Sequence, residues 1–99
     1  MADRMVTVIA LLKAKPGMEE TVKQELLALV GPTRTEEGCS NYDLHQSLDH
    51  KGQFRFYENW TSKELLERHL ESAHVKRFIA KGDQLLTAPP EITLWEMLP

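Results

Sequence analysis

The chain has 99 residues, of which 41% are hydrophobic and 27% are charged, and this composition is typical of one folded domain spanning residues 1–99. Its 12 basic and 15 acidic residues give a net charge of −3, and no basic cluster stands out, which argues against a nucleic-acid partner. Because no apolar run could cross a bilayer and no signal-peptide pattern is present, we expect no membrane association and a cytoplasmic location.

The first half of the chain predicts a strand followed by a helix. Aliphatic and β-branched residues predict a strand over residues 5–12, ending at a Lys-Pro-Gly turn. Apolar side chains at every third or fourth position predict an amphipathic helix over residues 18–30. We expect Pro32 to kink or end this helix, and Gly38 to stop a short helical turn that follows it.

The second half predicts a hairpin, a helical region and a last strand. Residues 41–48 and 53–60 are two strands around a glycine-containing turn, so we expect them to pair antiparallel. Thr61 and Glu64 have the spacing of a capping box, which predicts the start of a helix. A final strand is expected over residues 91–97. The order βαββαβ predicts a ferredoxin-like α+β fold, in which a four-stranded antiparallel sheet carries its helices on one face.

Apolar residues on both faces of the first strand predict a partner for the sheet. One face carries Val6, Val8, Ala10 and Leu12, and the other carries Met5, Ile9 and Leu11. Such a strand is typically buried on both sides, whereas two helices in so short a chain cover only one side. We therefore expect a homodimer in which the two sheets pack against each other.

Two residues of the helix and sheet are candidates for chemistry. His69 lies on the apolar face of the second helix, where it is either a general base or a core histidine satisfied by backbone groups. Strand alternation places Glu58 on the same face as Phe56 and Trp60. If that face is the helix-covered one, Glu58 is a buried acid that could orient His69; otherwise it pairs with a surface Lys or Arg at the sheet margin.

The other titratable residues predict no metal or thiol chemistry. His74 follows His69 by five positions, which on a continuous helix separates the two rings by about 140° and argues against a shared ion. His45 and His50 are expected to be solvated. Cys39 is a lone cysteine without an internal disulfide partner and is expected to be a small buried apolar residue. Phosphate-binding loops, serine-hydrolase elbows and zinc-protease motifs are absent from the sequence.

Five segments in order carry a family resemblance. Residues 15–17, 35–42, 56–60, 69–74 and 88–90 closely resemble the antibiotic biosynthesis monooxygenase family of dimeric α+β barrels. This resemblance runs from about residue 5 to residue 97. It implies a ferredoxin-like protomer, a dimer with facing sheets, and a pocket in each protomer between the helices and the sheet.

The same resemblance implies candidate activities and site residues. Members of the family include cofactor-independent quinone-forming and quinol monooxygenases, an isomerase of a phosphorylated quorum-sensing signal, and haem-degrading enzymes. Trp60 matches an aromatic residue that lines the pocket, His69 and His74 match a two-histidine pattern, and Glu58 matches a carboxylate. The haem-degrading pattern also needs an asparagine on the first strand, and residues 5–15 contain none.

These observations favour a cofactor-independent monooxygenase that oxidises a small aromatic substrate, of the hydroquinone or polyphenol type, with dioxygen. His69 is then the base and Glu58 orients it, while the expected substrate-binding residues are Trp60, Phe56, Leu66 and His74. One alternative is an isomerase of a small carbonyl compound related to quorum-signal processing. Another is a non-catalytic ligand-binding dimer, whose mark is a His69 bonded twice to backbone with no cavity beside it. The most informative observation is whether a cavity of a few hundred cubic ångströms, as is usual for a small-ligand site, lies between the second helix and the third strand.

Overall fold

The computed structural model describes residues 5–99, so residues 1–4 of the predicted domain lie outside the described residues. Four strands form one sheet: β1 (Val6–Lys13), β2 (Cys39–Gln46), β3 (Gln53–Trp60) and β4 (Glu91–Trp95). Four helices connect them: α1 (Glu19–Arg34), α2 (Lys63–Leu70), α3 (Ala73–Ala80) and α4 (Gly82–Leu85). Within residues 5–99, none of the helices is long and apolar enough to cross a membrane.

The sheet order is β2-β3-β1-β4, and every neighbouring pair is antiparallel. This arrangement confirms the predicted ferredoxin-like fold. The bounds of β3 are those predicted, whereas β2 lies two residues earlier than expected and β4 ends at Trp95 rather than at residue 97. Leu48, at the end of the predicted second strand, is an exposed turn residue instead.

Alternation along β3 separates a covered face of the sheet from an open one. Phe56, Glu58 and Trp60 are buried on the covered face, beneath the helices, which is the first of the two orientations left open by the sequence. Tyr57 and Arg55 lie on the open face and are exposed. The strand therefore carries a carboxylate into the core between two aromatic side chains.

Pro32 does not end the first helix, which was one of its two expected effects. Helix α1 continues to Arg34, and Pro32 lies in its last turn. A proline in the last turn of a helix removes only its own N–H donor. The carbonyl groups of that turn remain available as hydrogen-bond acceptors. Thr35 donates its backbone N–H to the Pro32 carbonyl at 3.2 Å, and Glu36 donates to the Thr33 carbonyl at 3.0 Å. These bonds extend the helix into the loop that carries Glu36.

The helical region after β3 is broken where the sequence suggested continuity. Ser62, rather than Thr61, is the N-cap of α2, and its hydroxyl accepts a bond from the Leu65 N–H at 3.2 Å. A second break occurs at Ser72, whose extended backbone separates α2 from α3. The Ser72 hydroxyl donates to the His69 carbonyl at 2.6 Å, which ties the two helices together. Helix α3 therefore begins with its own orientation.

The open face of the sheet is partly apolar and partly polar. Ile9 and Leu11 are half-buried there, while Tyr57 is 39% exposed. A polar ladder crosses the strands beside them: Thr7 Oγ1 donates to Asn59 Oδ1 at 2.6 Å, and Asn59 Nδ2 donates to Asn41 Oδ1 at 2.8 Å. The homodimer expected from the doubly apolar first strand stays a prediction for this face.

Candidate active site

A small cavity lies between the helices and the covered face of the sheet, where a site was expected. Its volume is about 50 Å³, which is smaller than the predicted few hundred cubic ångströms. Three of its lining residues are substantially exposed and form its mouth: Leu70 (38%), Ile79 (51%) and Ile92 (43%). The difference in volume arises because apolar side chains from α1, α3 and β1 fill most of the space above the sheet.

The inner wall of the cavity is aromatic. Tyr42 and Phe56 stack with ring centroids 4.4 Å apart, and both line the cavity. The His69 ring meets the edge of Tyr42 at 5.3 Å and lies against Trp60 at 4.7 Å. Phe56 thus lines the same cavity as His69 and offers a flat apolar surface, while Tyr42 is the ring between them.

Glu58 is a buried acid that lines the same cavity. Its side chain is 4% exposed, and its Oε1 accepts a hydrogen bond from Trp60 Nε1 at 2.9 Å. Burial raises the pKa of Glu58 to about 7; the nearby Glu36 carboxylate acts in the same direction, and the Trp60 bond opposes both. Near pH 7 the Glu58 carboxyl group is therefore populated in both its protonated and its ionised form.

His69 is almost completely buried, at 3% exposure, and its Nδ1 lies 2.9 Å from Glu36 Oε2. Burial lowers the pKa of His69 from its ordinary value of 6.5, although Glu36 acts against this shift. The imidazole is therefore neutral at pH 7. Because an ionised carboxylate only accepts hydrogen bonds, Nδ1 carries the proton and Nε2 carries the free lone pair.

The Nε2 atom of His69 is open to the cavity. Every fully buried side-chain nitrogen or oxygen within residues 5–99 has a hydrogen-bond partner. Nε2 has none among the bonds that this part of the chain makes, so it is accessible from the cavity that His69 lines. His69 is not bonded twice to backbone, which was the expected mark of a core histidine.

The carboxylate that orients His69 is Glu36, so the predicted pairing of His69 with Glu58 is wrong. Glu58 accepts its hydrogen bond from the indole of Trp60. Glu36, in the loop between α1 and β2, is the carboxylate that contacts His69. Sequence reasoning missed Glu36 because periodicity does not place loop residues. The available signal was Gly38, which has a φ of +87°, and a Cβ on it would lie 2.8 Å from Leu65 Cβ. This close approach brings the loop against α2.

His74 joins the same carboxylate. Its Nε2 lies 2.9 Å from Glu36 Oε2 and 3.1 Å from Thr33 Oγ1. The expectation that His69 and His74 point apart is wrong, because the break at Ser72 turns α3 and brings the two ring centroids to 6.1 Å. Thr33 is also hydrogen-bonded to Tyr42. The network therefore runs from the cavity wall through Thr33 and His74 to the carboxylate that holds the base.

The remaining predicted binding residues support the site from behind. Trp60 is fully buried beneath His69, and Leu66 is a core residue; neither lines the cavity. His74 contacts Glu36 and does not line the cavity. Direct contact of these three residues with a substrate stays a prediction, since none of them lines the cavity as it stands. Cys39 is half-buried against the core, and burial raises the pKa of its thiol, which keeps it protonated.

Comparison with known proteins identifies the family. The sequence pattern of the antibiotic biosynthesis monooxygenase family matches residues 5–81. The chain belongs to this family. It is 34% identical over 93 residues to the Bacillus subtilis protein named "Putative monooxygenase YcnE", covering 94% of this chain and 98% of that one. It is 35% identical over 89 residues to the Mycobacterium tuberculosis protein named "Putative monooxygenase Rv0793", covering 90% of this chain and 87% of that protein.

Solved structures agree with this assignment. The crystal structure of PA3566 from Pseudomonas aeruginosa superposes with a TM-score of 0.94 at 36% identity, covering 100% of this chain and 99% of that one. The structure of Rv0793 superposes with a TM-score of 0.89 at 34% identity, covering 96% of each chain. The resemblance stated from five sequence segments is confirmed, and it supports a monooxygenase-like function.

Proposed function

We propose that the protein is a cofactor-independent monooxygenase that oxidises a small hydroquinone or polyphenol with dioxygen. The observation that carries this proposal is the pairing of two proton-transfer groups on one aromatic-walled cavity. His69 offers a neutral imidazole with a free Nε2, and Glu58 offers a carboxyl group whose pKa is about 7. Groups with pKa values near neutrality are the ones suited to general acid and base catalysis.

The reaction balances without a further reductant. A hydroquinone and dioxygen give a hydroxyquinone and water: the substrate gives up four electrons, one oxygen atom enters the ring, and the other leaves as water. His69 takes the phenolic proton, which makes the ring electron-rich enough to reduce dioxygen and form a carbon–oxygen bond. Protonated His69 returns its proton to the peroxide, and Glu58 in its acid form protonates the departing oxygen, which leaves as water. The ring proton that is lost as the oxygen–oxygen bond breaks restores the acid form of Glu58.

Glu36 prepares His69 for the first step. Its carboxylate fixes the Nδ1–H tautomer and stabilises the imidazolium that forms when Nε2 takes a proton. His74 Nε2 contacts the same Glu36 oxygen, and Thr33 Oγ1 contacts the His74 ring. These two contacts keep the carboxylate in position. Tyr42 and Phe56 provide the flat wall for a planar ring and exclude water from the reacting atoms.

An aromatic substrate needs the cavity to widen. A dry cavity that binds benzene has a volume of about 150 Å³, which exceeds the roughly 50 Å³ present. The exposed side chains of Leu70, Ile79 and Ile92 at the mouth are the ones free to move outward. We expect the ring to enter between α3 and β4, with its hydroxyl group towards His69.

The alternative functions find less support in the site. A phosphorylated substrate for an isomerase needs a cation at the cavity, but Arg68 pairs with Glu64 and Lys76 pairs with Glu71 on the surface. Arg77 is exposed, and none of the three cations lines the cavity. A purely ligand-binding dimer does not account for a base oriented by a carboxylate and an acid that lines the same cavity.

Oxygen uptake with a panel of hydroquinones tests the proposal. His69→Ala is expected to lower turnover by about 10²- to 10⁴-fold, which is the usual contribution of a general base. With ¹⁸O₂, one labelled atom is expected in the quinone product. The matched control is His45→Ala, since His45 is exposed on β2 and distant from the cavity. Full turnover by a folded His69→Ala variant, or uptake without labelled product, contradicts the proposal.

A further inference from the structure

Three ligand-type atoms converge beside the cavity. Glu36 Oε2, His69 Nδ1 and His74 Nε2 all lie within 4.8 Å of one another, and both nitrogens are 2.9 Å from the oxygen. Among the residues that the structure describes, this is the only cluster of at least three such groups. Two atoms that bind one ion at about 2.1 Å in tetrahedral geometry are about 3.4 Å apart, so each nitrogen needs to move only about 0.5 Å from the oxygen to admit an ion.

Three separate elements hold the cluster together. Glu36 comes from the loop after α1, His69 from the last turn of α2, and His74 from the first turn of α3. The Ser72 hydroxyl bridges α2 to α3 through the His69 carbonyl, and Thr33 Oγ1 contacts the His74 ring. The cluster therefore has a positioned set of supporting side chains around its three ligands, as binding sites for metal ions generally do.

We propose that Glu36, His69 and His74 bind a divalent first-row transition-metal ion such as Zn²⁺ or Co²⁺. Two imidazole nitrogens and one carboxylate oxygen form a ligand set that such ions favour over calcium and magnesium, which prefer all-oxygen surroundings. The carboxylate supplies a negative charge, and both imidazoles bind as neutral groups. The ion takes the place of the two N–H donors that now share Glu36 Oε2.

Binding of the ion changes the tautomer of His69. Once Nδ1 is a ligand, the single proton of the neutral ring lies on Nε2, which is the atom open to the cavity. The same exchange moves the His74 proton to Nδ1, so no net proton is released. The ion thus replaces the free lone pair of the base by an N–H group. Inhibition of turnover by the ion rests on the proposed function, whereas binding itself does not.

Calorimetric titration of EDTA-treated protein with ZnCl₂ tests the site without any substrate. We expect one ion per chain, with at least a tenfold weaker affinity in His74→Ala and in Glu36→Gln. His45→Ala is the matched control, because His45 is exposed and lies outside the cluster. Visible absorption of bound Co²⁺ gives a second readout, which is expected in wild type and lost in His74→Ala. Circular dichroism of each variant separates loss of a ligand from loss of the fold.

The two proposals fail in different ways. Absence of binding to wild type, or equal binding by wild type and a folded Glu36→Gln or His74→Ala variant, overturns the metal site and leaves the oxygen-uptake result unaffected. Absence of turnover with every hydroquinone overturns the proposed function, while the titration still reports on the site. If Zn²⁺ binds and oxygen uptake does not fall, the tautomer argument is overturned. We expect Zn²⁺ to inhibit oxygen uptake, and EDTA to reverse this inhibition, in both wild type and His45→Ala.

Discussion

Polar side chains on the two faces of the sheet differ in how deeply they are buried and in how many hydrogen-bond partners they have. On the covered face, Glu58 and His69 are each buried and each rely on a single named partner, Trp60 and Glu36. On the open face, Asn59 shares its hydrogen bonds with Thr7 and Asn41 in a ladder that is only partly buried. A buried polar group with one partner responds strongly to changes nearby, since the loss of that partner is not compensated by water. Chemistry is therefore expected on the covered face, and association on the open face.

The largest effect is expected from a charge placed on the open face, because it tests whether that face is the one that associates. Ile9→Asp is expected to dissociate the predicted homodimer, because an unpaired charge buried in an apolar interface costs about 3–5 kcal/mol, or roughly a hundredfold to several thousandfold in the dissociation constant. Size-exclusion chromatography with light scattering measures the change. Leu48→Asp adds the same charge at a residue that is 90% exposed and serves as the control. A wild-type monomer at micromolar concentration contradicts the role given to this face.

Neighbouring residues of β3 sharpen the comparison. Phe56→Ala is expected to lower the free energy of unfolding by about 3 kcal/mol or more, because it leaves a cavity beneath the helices. Tyr57→Ala, one position along the strand but on the open face, is expected to cost less in a chain kept monomeric by Ile9→Asp. Urea denaturation of both variants in that background measures the difference. Equal losses at the two positions contradict the assignment of faces.

The smallest expected effect concerns Glu58 and pH. Its pKa is 4.5 when unfolded and about 7 when folded, so the folded chain binds the proton more tightly and loses stability as pH rises between these values. The difference corresponds to about 3 kcal/mol at most. Glu58→Gln cannot ionise, so its free energy of unfolding relative to wild type is expected to increase by up to this amount between pH 4.5 and pH 8.

Urea denaturation at several pH values measures this effect. Asp49→Asn serves as the control, because Asp49 is exposed in the hairpin turn and solvent screens its charge. The buried group is surrounded by Trp60, Tyr42 and Cys39 as well as by the more distant Glu36 carboxylate, and these neighbours are unchanged in the variant. A constant difference between wild type and Glu58→Gln across this range contradicts the raised pKa.

Much of the fold follows from local patterns in the sequence. Period-two alternation placed all of β3 and put Glu58 on the same face as Phe56 and Trp60, and helical spacing placed His69 towards the sheet. These features depend on neighbours within a few positions. The continuation of α1 past Pro32 depends instead on backbone bonds made by the following loop, which propensity does not report.

The site depended more on tertiary contacts. Glu36 lies 33 residues before its partner His69 in the chain, in a segment with no periodicity. The meeting of His69 and His74 requires the break at Ser72, whereas the expected separation of the two rings assumed a continuous helix. The cavity volume depends on how side chains from several elements pack together. Residue types could therefore be chosen from the sequence, but their partners could not.

The lack of a side chain at Gly38 sets the distance between the Glu36 carboxylate and the His69 ring. A side chain at position 38 would press on Leu65 and would also be strained by the positive φ of Gly38. The loop would have to withdraw from α2, and Glu36 would withdraw with it. A protein altered in this way could retain every strand and helix and yet lose the contact that fixes which nitrogen of His69 faces the cavity. Backbone freedom at one turn thus governs the protonation pattern of a side chain on a different element.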